Sequence, residues 1–497
     1  MAFIKRYSTK NGGTVIQVVY KHGRQVVKTI HIGTAHTEDD LDVLIAIAKG
    51  IIRGTQQQMD LFPSKPDAVE MVMERAYPKL LWDVLCSIYC HIGFGILADD
   101  VFRQLVIARL IEPVSKLDTI RVLSDIGQDM PSNAEIHRCL RRVVAADYRS
   151  AVSFCCFEHA STHALSLLLY DVTTLYFEIQ NEDDFRKAGM SKERRLEPQI
   201  IIGLLVGRDG FPLEIQSFEG NRAEVKTIMK VLDTFKNRYG LDEITVTADA
   251  AMLSSENIQA LENMGYHYII GSRLAKTPYE ITEYIKDPGI ELSDGQIFDT
   301  KQQMNLVKGS KRVARRVIYQ YRKDRAGLDL RNIDKLVYKA QNMIDGKAEY
   351  KRNRFLKIID SAKEINHALV AESRLKAGIK GYITDLDIPA QEVIDAYHQL
   401  FQVEHSFRMS KTDLKARPVF HHKKDSIEAH LSIVFTALAI ARYIEIKTKM
   451  SIRRFIKTIR PIQTGVVCIN GKSRIIEPLV SIDVKKLLKL LETDGGS

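Results

Sequence analysis

The strongest constraint on the fold is the order of apolar strands and amphipathic helices between residues 165 and 271 of the 497-residue chain. The runs LSLLLY (165–170), QIIIGLLV (199–206) and FPLEI (211–215) have the length and composition of buried β-strands, and the turn GRDG joins the last two into a hairpin. A helical pattern over 222–237, the strand EITVTA (243–248), a helix near 255–264 and the strand YHYIIG (266–271) follow. Because helices that alternate with buried strands pack on a sheet, this segment predicts an α/β core.

Three strands, a helix, a strand, a helix and a strand is also the order of a ribonuclease-H-like core. We expect that fold class, although periodicity alone fits other α/β sheets as well. The pattern breaks after residue 275 and resumes with GYIT (381–384) and a strong helix that begins after Pro389. We therefore expect the first part of the core at 161–275, an insertion domain at 276–380 and the second part of the core at 381–445.

The flanking segments predict accessory domains. Alternating residues with Gly-containing turns, followed by a helix over about 38–52, indicate an N-terminal β-rich module at 1–75. Helical periodicity from 80 to about 157 predicts a helical domain at 76–160. We interpret this domain as DNA-binding, while a helical packing domain would have the same pattern. A basic region occupies 446–497.

The charge distribution favours a polyanionic partner. Lys and Arg exceed Asp and Glu by 72 − 62, a formal net charge of +10. Segments 1–37 and 446–476 hold six and eight basic residues without an acid, and 308–325 holds eight against Asp324 alone. Three separated basic blocks suit a protein that contacts a phosphate backbone at several places. Each block taken alone is also compatible with an ordinary solvated face.

Other classes of protein are disfavoured. No run reaches the roughly 18 uncharged apolar residues of a membrane span. The six cysteines show no paired CxxC spacing, which disfavours a zinc site or a disulfide framework. The first residues lack the apolar core of a secretory signal. We expect a cytoplasmic protein without a membrane partner.

Two aspartates stand at the carboxyl ends of predicted strands. Asp171 follows LSLLLY and Asp249 follows EITVTA. Strand ends are where α/β sheets bind ligands, and two neighbouring carboxylates repel each other unless a proton or a cation lies between them. A pair of divalent cations neutralises them and clamps the attacking and leaving oxygens of a phosphodiester. An ordinary strand-end Asp is a turn former or helix cap, so it is the pair that carries the prediction.

A third carboxylate lies in the predicted helix over 391–415. Tyr397, Glu404 and Lys411 are spaced by seven and would share one helical stripe. Arg408 and Lys415 follow Glu404 and Lys411 by four residues, on the same side. A carboxylate flanked by Tyr, Arg and Lys can bind metal while its neighbours hold phosphates. A surface helix with a Glu404–Arg408 pair is the alternative.

These segments resemble a known family. LLLYDVTT, TVTADAAMLS and YHQLFQVEHSFRMSKTDLKARPVFHH are similar to the three catalytic segments of bacterial insertion-sequence DDE transposases. The resemblance extends over most of the chain and is nearest to insertion sequence family sixteen thirty-four, within the family-four group. The signature of that group is Tyr-x2-Arg-x3-Glu-x6-Lys, and Tyr397, Leu400, Glu404 and Lys411 occupy its places here. Leu400 departs from it, and Arg408 is our candidate for the missing charge.

The resemblance implies an enzyme of DNA transposition. Asp171, Asp249 and Glu404 would be the catalytic residues and would hold two Mg²⁺ ions, with Mn²⁺ as a substitute. Metal-activated water would cut the transposon end, and the freed 3′ hydroxyl would attack target DNA. The implied partners are the double-stranded terminal inverted repeats and target DNA, bound by a homodimer on paired ends. A prokaryotic, nucleoid-associated location follows.

Relatives in this group often form a DNA hairpin and stack a flipped base on an aromatic residue of the insertion. Since the only Trp is Trp82, outside the insertion, Tyr319, Tyr321 or Tyr338 would have to serve. The expected DNA-contacting residues are Tyr397, Arg408, Lys411, Lys415 and Arg417 around the third carboxylate, and Arg315, Arg316, Tyr319 and Tyr321 in the insertion.

Two alternatives stay open at the level of sequence. A ribonuclease-H-like DNA nuclease or resolvase would share the three carboxylates without strand transfer. A non-catalytic DNA-binding regulator would use the acids only for structure.

Overall fold

The computed structural model describes residues 2–9, 13–23, 25–35, 38–55, 71–161, 167–177, 182–189, 197–222, 225–240, 244–249, 255–272, 284–285, 287, 290–305, 312–349, 351–359, 362–416, 423–469 and 472–491. The chain divides into two compact units. The first comprises Met1–His91, Asp99–Arg138 and Lys447–Ser497, and the second comprises Ile92–Ala98 and Cys139–Ile446.

The elements alternate between strands and helices along much of the chain. The strands are β1 (Ala2–Ser8), β2 (Thr14–His22), β3 (Gln25–Ala35), β4 (Met71–Tyr77), β5 (Leu167–Tyr176), β6 (Gln199–Gly207), β7 (Pro212–Glu219), β8 (Thr245–Ala248), β9 (His267–Ser272), β10 (Ile297–Asn305), β11 (Arg312–Tyr321), β12 (Leu356–Ile359), β13 (Ala362–Ile365), β14 (Ile379–Thr384), β15 (Thr464–Ile469) and β16 (Lys472–Ile476). The helices are α1 (Glu38–Thr55), α2 (Lys79–His91), α3 (Asp100–Ile111), α4 (Lys116–Asp125), α5 (Asn133–Ala145), α6 (Tyr148–Ser161), α7 (Val225–Tyr239), α8 (Ser255–Asn263), α9 (Lys323–Ile344), α10 (His367–Leu375), α11 (Ala390–His398), α12 (Phe401–Thr412), α13 (Lys424–Thr448), α14 (Ile452–Ile459) and α15 (Ile482–Lys489).

The second unit is built on a mixed eight-stranded sheet of order β10-β11-β14-β9-β8-β5-β6-β7. β5, β8 and β9 run parallel, and β6 and β7 pair antiparallel in the hairpin that the turn at 207–210 predicts. Every residue of β6 is buried, because the sheet is covered on both faces and only apolar runs suit such strands. The prediction of an α/β fold is confirmed, and the arrangement of β5 to β9 fits the ribonuclease-H-like core expected from the element order.

Segment 276–380 contributes to the same sheet. β10 and β11 form a hairpin, and β14 joins it to the core by pairing with β11 on one side and β9 on the other. α9, the small sheet of β12 and β13, and α10 pack together outside it. Segment 276–380 therefore adds strands to the central sheet as well as forming a subdomain outside it. The charged sequence between 276 and 325 does not predict these strands.

The helix expected over 391–415 is interrupted, and the prediction of one continuous helix is wrong. α11 ends at His398 and α12 begins at Phe401. Between them, the amide of Leu400 donates to the carbonyl of Tyr397 and that of Gln402 to Gln399, both bonds spanning three residues. Such bonds tighten the turn relative to an α-helix and change the facing of residues on either side. Residues spaced by seven across 399–400 consequently do not share a stripe.

In the first unit, β1, β2 and β3 form an antiparallel sheet whose buried side chains pack on α1, as the N-terminal pattern predicts. A second sheet, of order β16-β15-β4, pairs residues near 71–77 with residues near 464–469. The basic region after 446 is thus joined by hydrogen bonds to β4, the strand that precedes α2. α14 buries an apolar stripe and exposes a basic one, formed by Arg453, Arg454 and Lys457.

Among the described helices, α13 is long and apolar enough to meet the criteria for a membrane span. Its apolar window is 94% buried within the protein. The helix therefore uses its apolar surface for packing, as expected from the short uncharged run 431–440.

We predict that Gly220→Ala destabilises the second unit. A Cβ at Gly220 would lie far inside van der Waals contact of the backbone carbonyl oxygens of Gln199 and Lys187. Backbone atoms in a sheet cannot move aside as a side chain can, so we expect a loss of roughly 1–3 kcal/mol in the free energy of unfolding. Chemical denaturation measures it.

The matched control is Gly50→Ala in α1, where no atom lies within 4 Å of the added Cβ. We expect that variant to be as stable as the parent or more stable by roughly 0.5–1 kcal/mol, since Ala favours helix. Equal stability of Gly220→Ala and the parent protein would contradict the close approach.

Candidate active site

The register of two parallel strands brings Asp171 and Asp249 to adjacent positions. β5 and β8 pair Leu169 with Thr247, and each aspartate lies two residues further along its strand direction. Since side chains alternate between faces with a period of two, both aspartates belong to the same face of the sheet. Asp171 is half-buried within β5, and Asp249 is exposed directly after β8. Asp249 thus follows its strand as expected, whereas the expectation for Asp171 is wrong, because β5 continues past it to Tyr176. The edge that the two residues share is the carboxyl end of β8, beyond which β5 extends.

Tyr397 contacts the second aspartate. Its hydroxyl donates to Oδ1 of Asp249 at 3.3 Å, while its ring is buried in an apolar cluster with Tyr382 and Ile394. Burial raises the pKa of Tyr397, and the neighbouring Asp249 carboxylate raises it further. The hydroxyl is therefore a permanent donor. The sequence pattern assigned Tyr397 to DNA, whereas it is 4% exposed and orients a carboxylate.

Glu404 lies on α12, the helix that packs against β5 and β6. Its side chain is exposed, and its carboxylate makes no hydrogen bond or ion pair with any residue that the structure describes. The carboxylates of Glu404 and Asp249 both act to raise the pKa of Lys380. Glu404 and Asp249 thus border the same small region, and Glu404 is accessible to a ligand.

Lys380 is a residue that the sequence patterns did not single out. It lies on β14, two residues before Tyr382, and its ammonium is 4.2 Å from the ring centroid of Tyr397. Burial lowers the pKa of Lys380, and Arg325 lowers it further, while the carboxylates of Asp249 and Glu404 act in the opposite direction. No sequence signal identifies it, because only the pairing of β14 with β9 brings it to this edge.

The carboxylates fit a hard divalent cation by donor chemistry. Mg²⁺ and Mn²⁺ prefer oxygen ligands, and Asp171, Asp249 and Glu404 offer only oxygen. Among the described residues, no three His, Cys, Asp or Glu side chains are gathered closely enough to form a ready metal site. The donors are therefore of the right kind and lie at one edge, but the full ligand set is not assembled.

Two residues expected to contact DNA are buried instead. Arg315 is 5% exposed and donates to the Tyr268 hydroxyl at 2.6 Å and to Glu262 at 2.9 Å. Tyr319 is fully buried, and its hydroxyl accepts from Gln302 at 2.9 Å. Their strand, β11, is internal to the sheet, so these side chains serve packing and internal pairing. We leave both out of the DNA-contacting set.

The other insertion residues differ in exposure. Arg316 pairs with Asp299 at 2.6 Å and also donates to two backbone carbonyls, so its charge is largely used within the protein. Tyr321 is half-buried at the end of β11. Tyr338 on α9 is 68% exposed and is the most accessible of the three tyrosines expected to stack on a base.

The position of the signature Arg has an apolar role here. Leu400 packs against the cluster that contains Tyr397, at the turn between α11 and α12. Arg408, the expected substitute, is exposed and donates to Nδ1 of His405 at 3.2 Å, and His405 pairs with Glu445. Arg408 is therefore linked through His405 to Glu445.

The remaining basic residues follow Glu404 along the chain. Lys411 is half-buried on the last turn of α12, and Lys415 is exposed with a positive φ of 44°. Arg417 lies outside the described residues. Lys411 and Lys415 stay candidates for phosphate contact.

We predict that Tyr397→Phe weakens divalent-cation binding without unfolding the protein. The change keeps the buried ring and removes the hydroxyl that donates to Asp249. We therefore expect roughly a tenfold loss of metal affinity. Stability should fall by about 1 kcal/mol at most. Titration calorimetry with Mn²⁺ and thermal unfolding measure the two effects.

Tyr382→Phe is the matched control. It lies in the same apolar cluster, and its hydroxyl faces His398 at 3.4 Å rather than a carboxylate. We expect its metal affinity to equal that of the parent protein. Indistinguishable affinities for both variants would remove Tyr397 from the site.

Two solved structures show low likeness to the chain. The synaptic complex of piggyBac transposase with hairpin DNA is 9% identical, with a TM-score of 0.36 over 77% of this chain and 70% of that one. The paired-end complex of Mos1 transposase with the left transposon end is 11% identical, with a TM-score of 0.16 over 46% and 66%. Likeness at this level says nothing about how this chain binds DNA. No curated protein matches the sequence.

A family model gives a direct assignment. The model described as "Transposase DDE domain" matches residues 162–440, which contain both aspartates, Glu404 and Lys380. The match spans 440 − 162 + 1 = 279 of the 497 residues, more than half of the chain. The chain belongs to the DDE-domain transposase family.

Proposed function

We propose that this transposase binds the ends of its element and, through Asp171, Asp249 and Glu404, performs metal-dependent cleavage and strand transfer. The observation that supports the proposal is the β5–β8 register, from which Asp171 and Asp249 are level on one face, together with the exposed carboxylate of Glu404. Adjacent carboxylates repel each other and favour a bound cation.

The residues would divide the work as follows. Asp171 and Asp249 would provide the fixed ligands, and Tyr397 would hold Asp249 in orientation through its hydroxyl. Glu404 would complete the set when DNA and cations bind. When bound, two Mg²⁺ ions, with Mn²⁺ as a substitute, would activate water or a 3′ hydroxyl and stabilise the leaving oxygen.

The proposed partners are double-stranded terminal inverted repeats and target DNA. Lys411, Lys415, Arg408 and Arg417 would contact phosphates near Glu404, and the exposed basic face of α14 offers a further contact in the first unit. We further propose a homodimer on paired ends, acting at the nucleoid of a prokaryotic cell. If a hairpin forms, Tyr338 is the insertion tyrosine that is exposed enough to stack on a base.

The finer family assignment is part of the proposal. Tyr397, Glu404 and Lys411 match the family-four signature and favour membership near insertion sequence family sixteen thirty-four. Leu400 in place of Arg is accommodated by the apolar cluster at the α11–α12 turn.

The first test uses charge-removing, shape-preserving variants. Asp171→Asn and Asp249→Asn should retain end binding and lose Mg²⁺-dependent cleavage by roughly a thousandfold or more, since an amide cannot replace a carboxylate ligand. Binding is measured by gel shift and cleavage on end-labelled duplexes carrying the DNA that flanks the gene. Full cleavage by both variants would favour a regulator in which the acids are structural.

The second test separates a transposase mechanism from simple nuclease activity. Precut ends with a free 3′ hydroxyl should be joined to a supercoiled target plasmid in the presence of Mg²⁺, and the joined product should be absent when the end carries a 3′ dideoxynucleotide. Cleavage of intact ends with no joined product would favour a nuclease or resolvase.

The third test concerns Lys411. Lys411→Ala should weaken DNA binding and reduce the slope of log affinity against log salt by about one unit, as expected for one lost phosphate contact. The affinity is measured over a salt series. An unchanged slope would mean that Lys411 does not contact a phosphate.

A further inference from the structure

The sheet edge that carries the carboxylates also carries a cation whose donors meet no acceptor among the described residues. Lys380 is half-buried, and its side-chain ammonium makes no hydrogen bond and no ion pair with any residue that the structure describes. Its contacts are with aromatic faces, at 4.2 Å from the centroid of Tyr397 and 5.9 Å from that of Tyr382. An ammonium has three donors, and a half-buried one without an acceptor lacks the partners that compensate for lost water.

The topology fixes where this ammonium lies. β8 pairs Ala248 with Ile270 of β9, and β9 pairs Gly271 with Tyr382 of β14, so Asp249 is level with Tyr382 across the three strands. Lys380 is two residues before Tyr382 on β14 and therefore shares its face. Because β14 runs antiparallel to β9, Lys380 lies nearer the edge formed by the carboxyl end of β9. Tyr382 packs against the ring of Tyr397 on α11, and the hydroxyl of Tyr397 donates to Asp249. Lys380 thus belongs to the face and the edge of the carboxylates.

The spacing between Lys380 and the acids is informative. Asp249 and Glu404 both act on Lys380 electrostatically, yet neither forms a direct ion pair with it among the described contacts. The ammonium of Lys380 is therefore farther from each of these two carboxylates than an ion pair allows. Tyr397 contacts both Lys380 and Asp249. Its ring lies under the ammonium of Lys380, and its hydroxyl donates to Asp249, so one buried side chain holds both residues in position.

Phosphate is the ligand that this arrangement suits. A lysine binds phosphate as a point charge with freely rotating donors. In addition, no basic side chain of α11 or α12 is available at the signature position, because Leu400 packs into the apolar cluster. Arg325, at the start of α9, adds a second positive charge near Lys380. The Arg325 side chain also forms an ion pair with Asp329, at 3.5 Å.

We propose that Lys380 is a DNA-positioning residue that binds a backbone phosphate beside Asp249 and Glu404, and so supplies from β14 the charge that Leu400 does not supply from the α11–α12 turn. The proposal rests on the function proposed above, in which this edge receives a DNA strand. A lysine that merely balances the charge of the carboxylates is the competing role.

The experiment compares Lys380→Met and Lys380→Arg with Lys347→Met. Met keeps the apolar stem over Tyr397 and removes the charge, Arg keeps a charge, and Lys347 is an exposed lysine paired with Asp345 that controls for loss of one charge. Affinity for a duplex carrying the flanking DNA is measured without divalent cations over a salt series, so that the readout does not depend on cleavage. Thermal unfolding shows whether each variant is folded.

We expect Lys380→Met to bind DNA roughly three- to tenfold more weakly, with a salt slope smaller by about one unit. Lys380→Arg should restore most of the affinity and the slope, and Lys347→Met should match the parent protein. Mn²⁺ calorimetry on the same variants distinguishes the competing role. A folded Lys380→Met with an unchanged salt slope and tighter Mn²⁺ binding would overturn the proposal, because Lys380 would then only balance the carboxylates.

The failure of the proposed function has a different signature. If the parent protein binds the duplex but Asp249→Asn cleaves as well as the parent, the catalytic assignment fails whatever the result at Lys380. If the parent cleaves, the asparagine variants do not, and Lys380→Met binds normally, only the role of Lys380 fails.

Discussion

Everything at the candidate site depends on the parallel pairing of β5 with β8. This register sets Asp171 and Asp249 on one face at one edge, where the mutual repulsion of two carboxylates has to be offset. Neither strand could be moved by one residue without turning its aspartate to the opposite face. β6 is buried throughout, and β5 is buried at every position except Asp171 and Tyr176, so packing in the core holds the strand that carries Asp171.

Around this pair, the later parts of the chain add one contact each. α11 brings the Tyr397 hydroxyl to Asp249, α12 brings Glu404 to the face of β5, and β14 brings Lys380 beside them. These residues are separated from Asp171 by more than two hundred positions, and the eight-stranded sheet is what joins them. The donors are not gathered into a finished metal site among the described residues. In the proposed mechanism Glu404 has a role of its own, because its exposed carboxylate can become a further metal ligand when the cations and DNA bind.

The sequence predicted the elements better than their assembly. Buried strands and their order were readable from uncharged runs such as QIIIGLLV, since only a sheet covered on both faces buries every residue. The sequence does not show that Arg315 and Tyr319 are buried, because a charged, aromatic segment resembles a DNA-contacting surface and only strand pairing makes β11 internal. The break at Leu400 is not predictable from helical periodicity, which is hardly changed by a single tightened turn. Lys380 depends wholly on long-range pairing, which no local pattern encodes.

The most direct test of the central claim is the position of bound Mn²⁺ in crystals of the transposase with a DNA end. Anomalous scattering locates this ion without reference to the surrounding density. We predict anomalous peaks between Asp171 and Asp249, with the Glu404 carboxylate drawn in as a further ligand. Occupied DNA at this edge with no Mn²⁺ peak there, or with Mn²⁺ bound to other residues, would contradict the account.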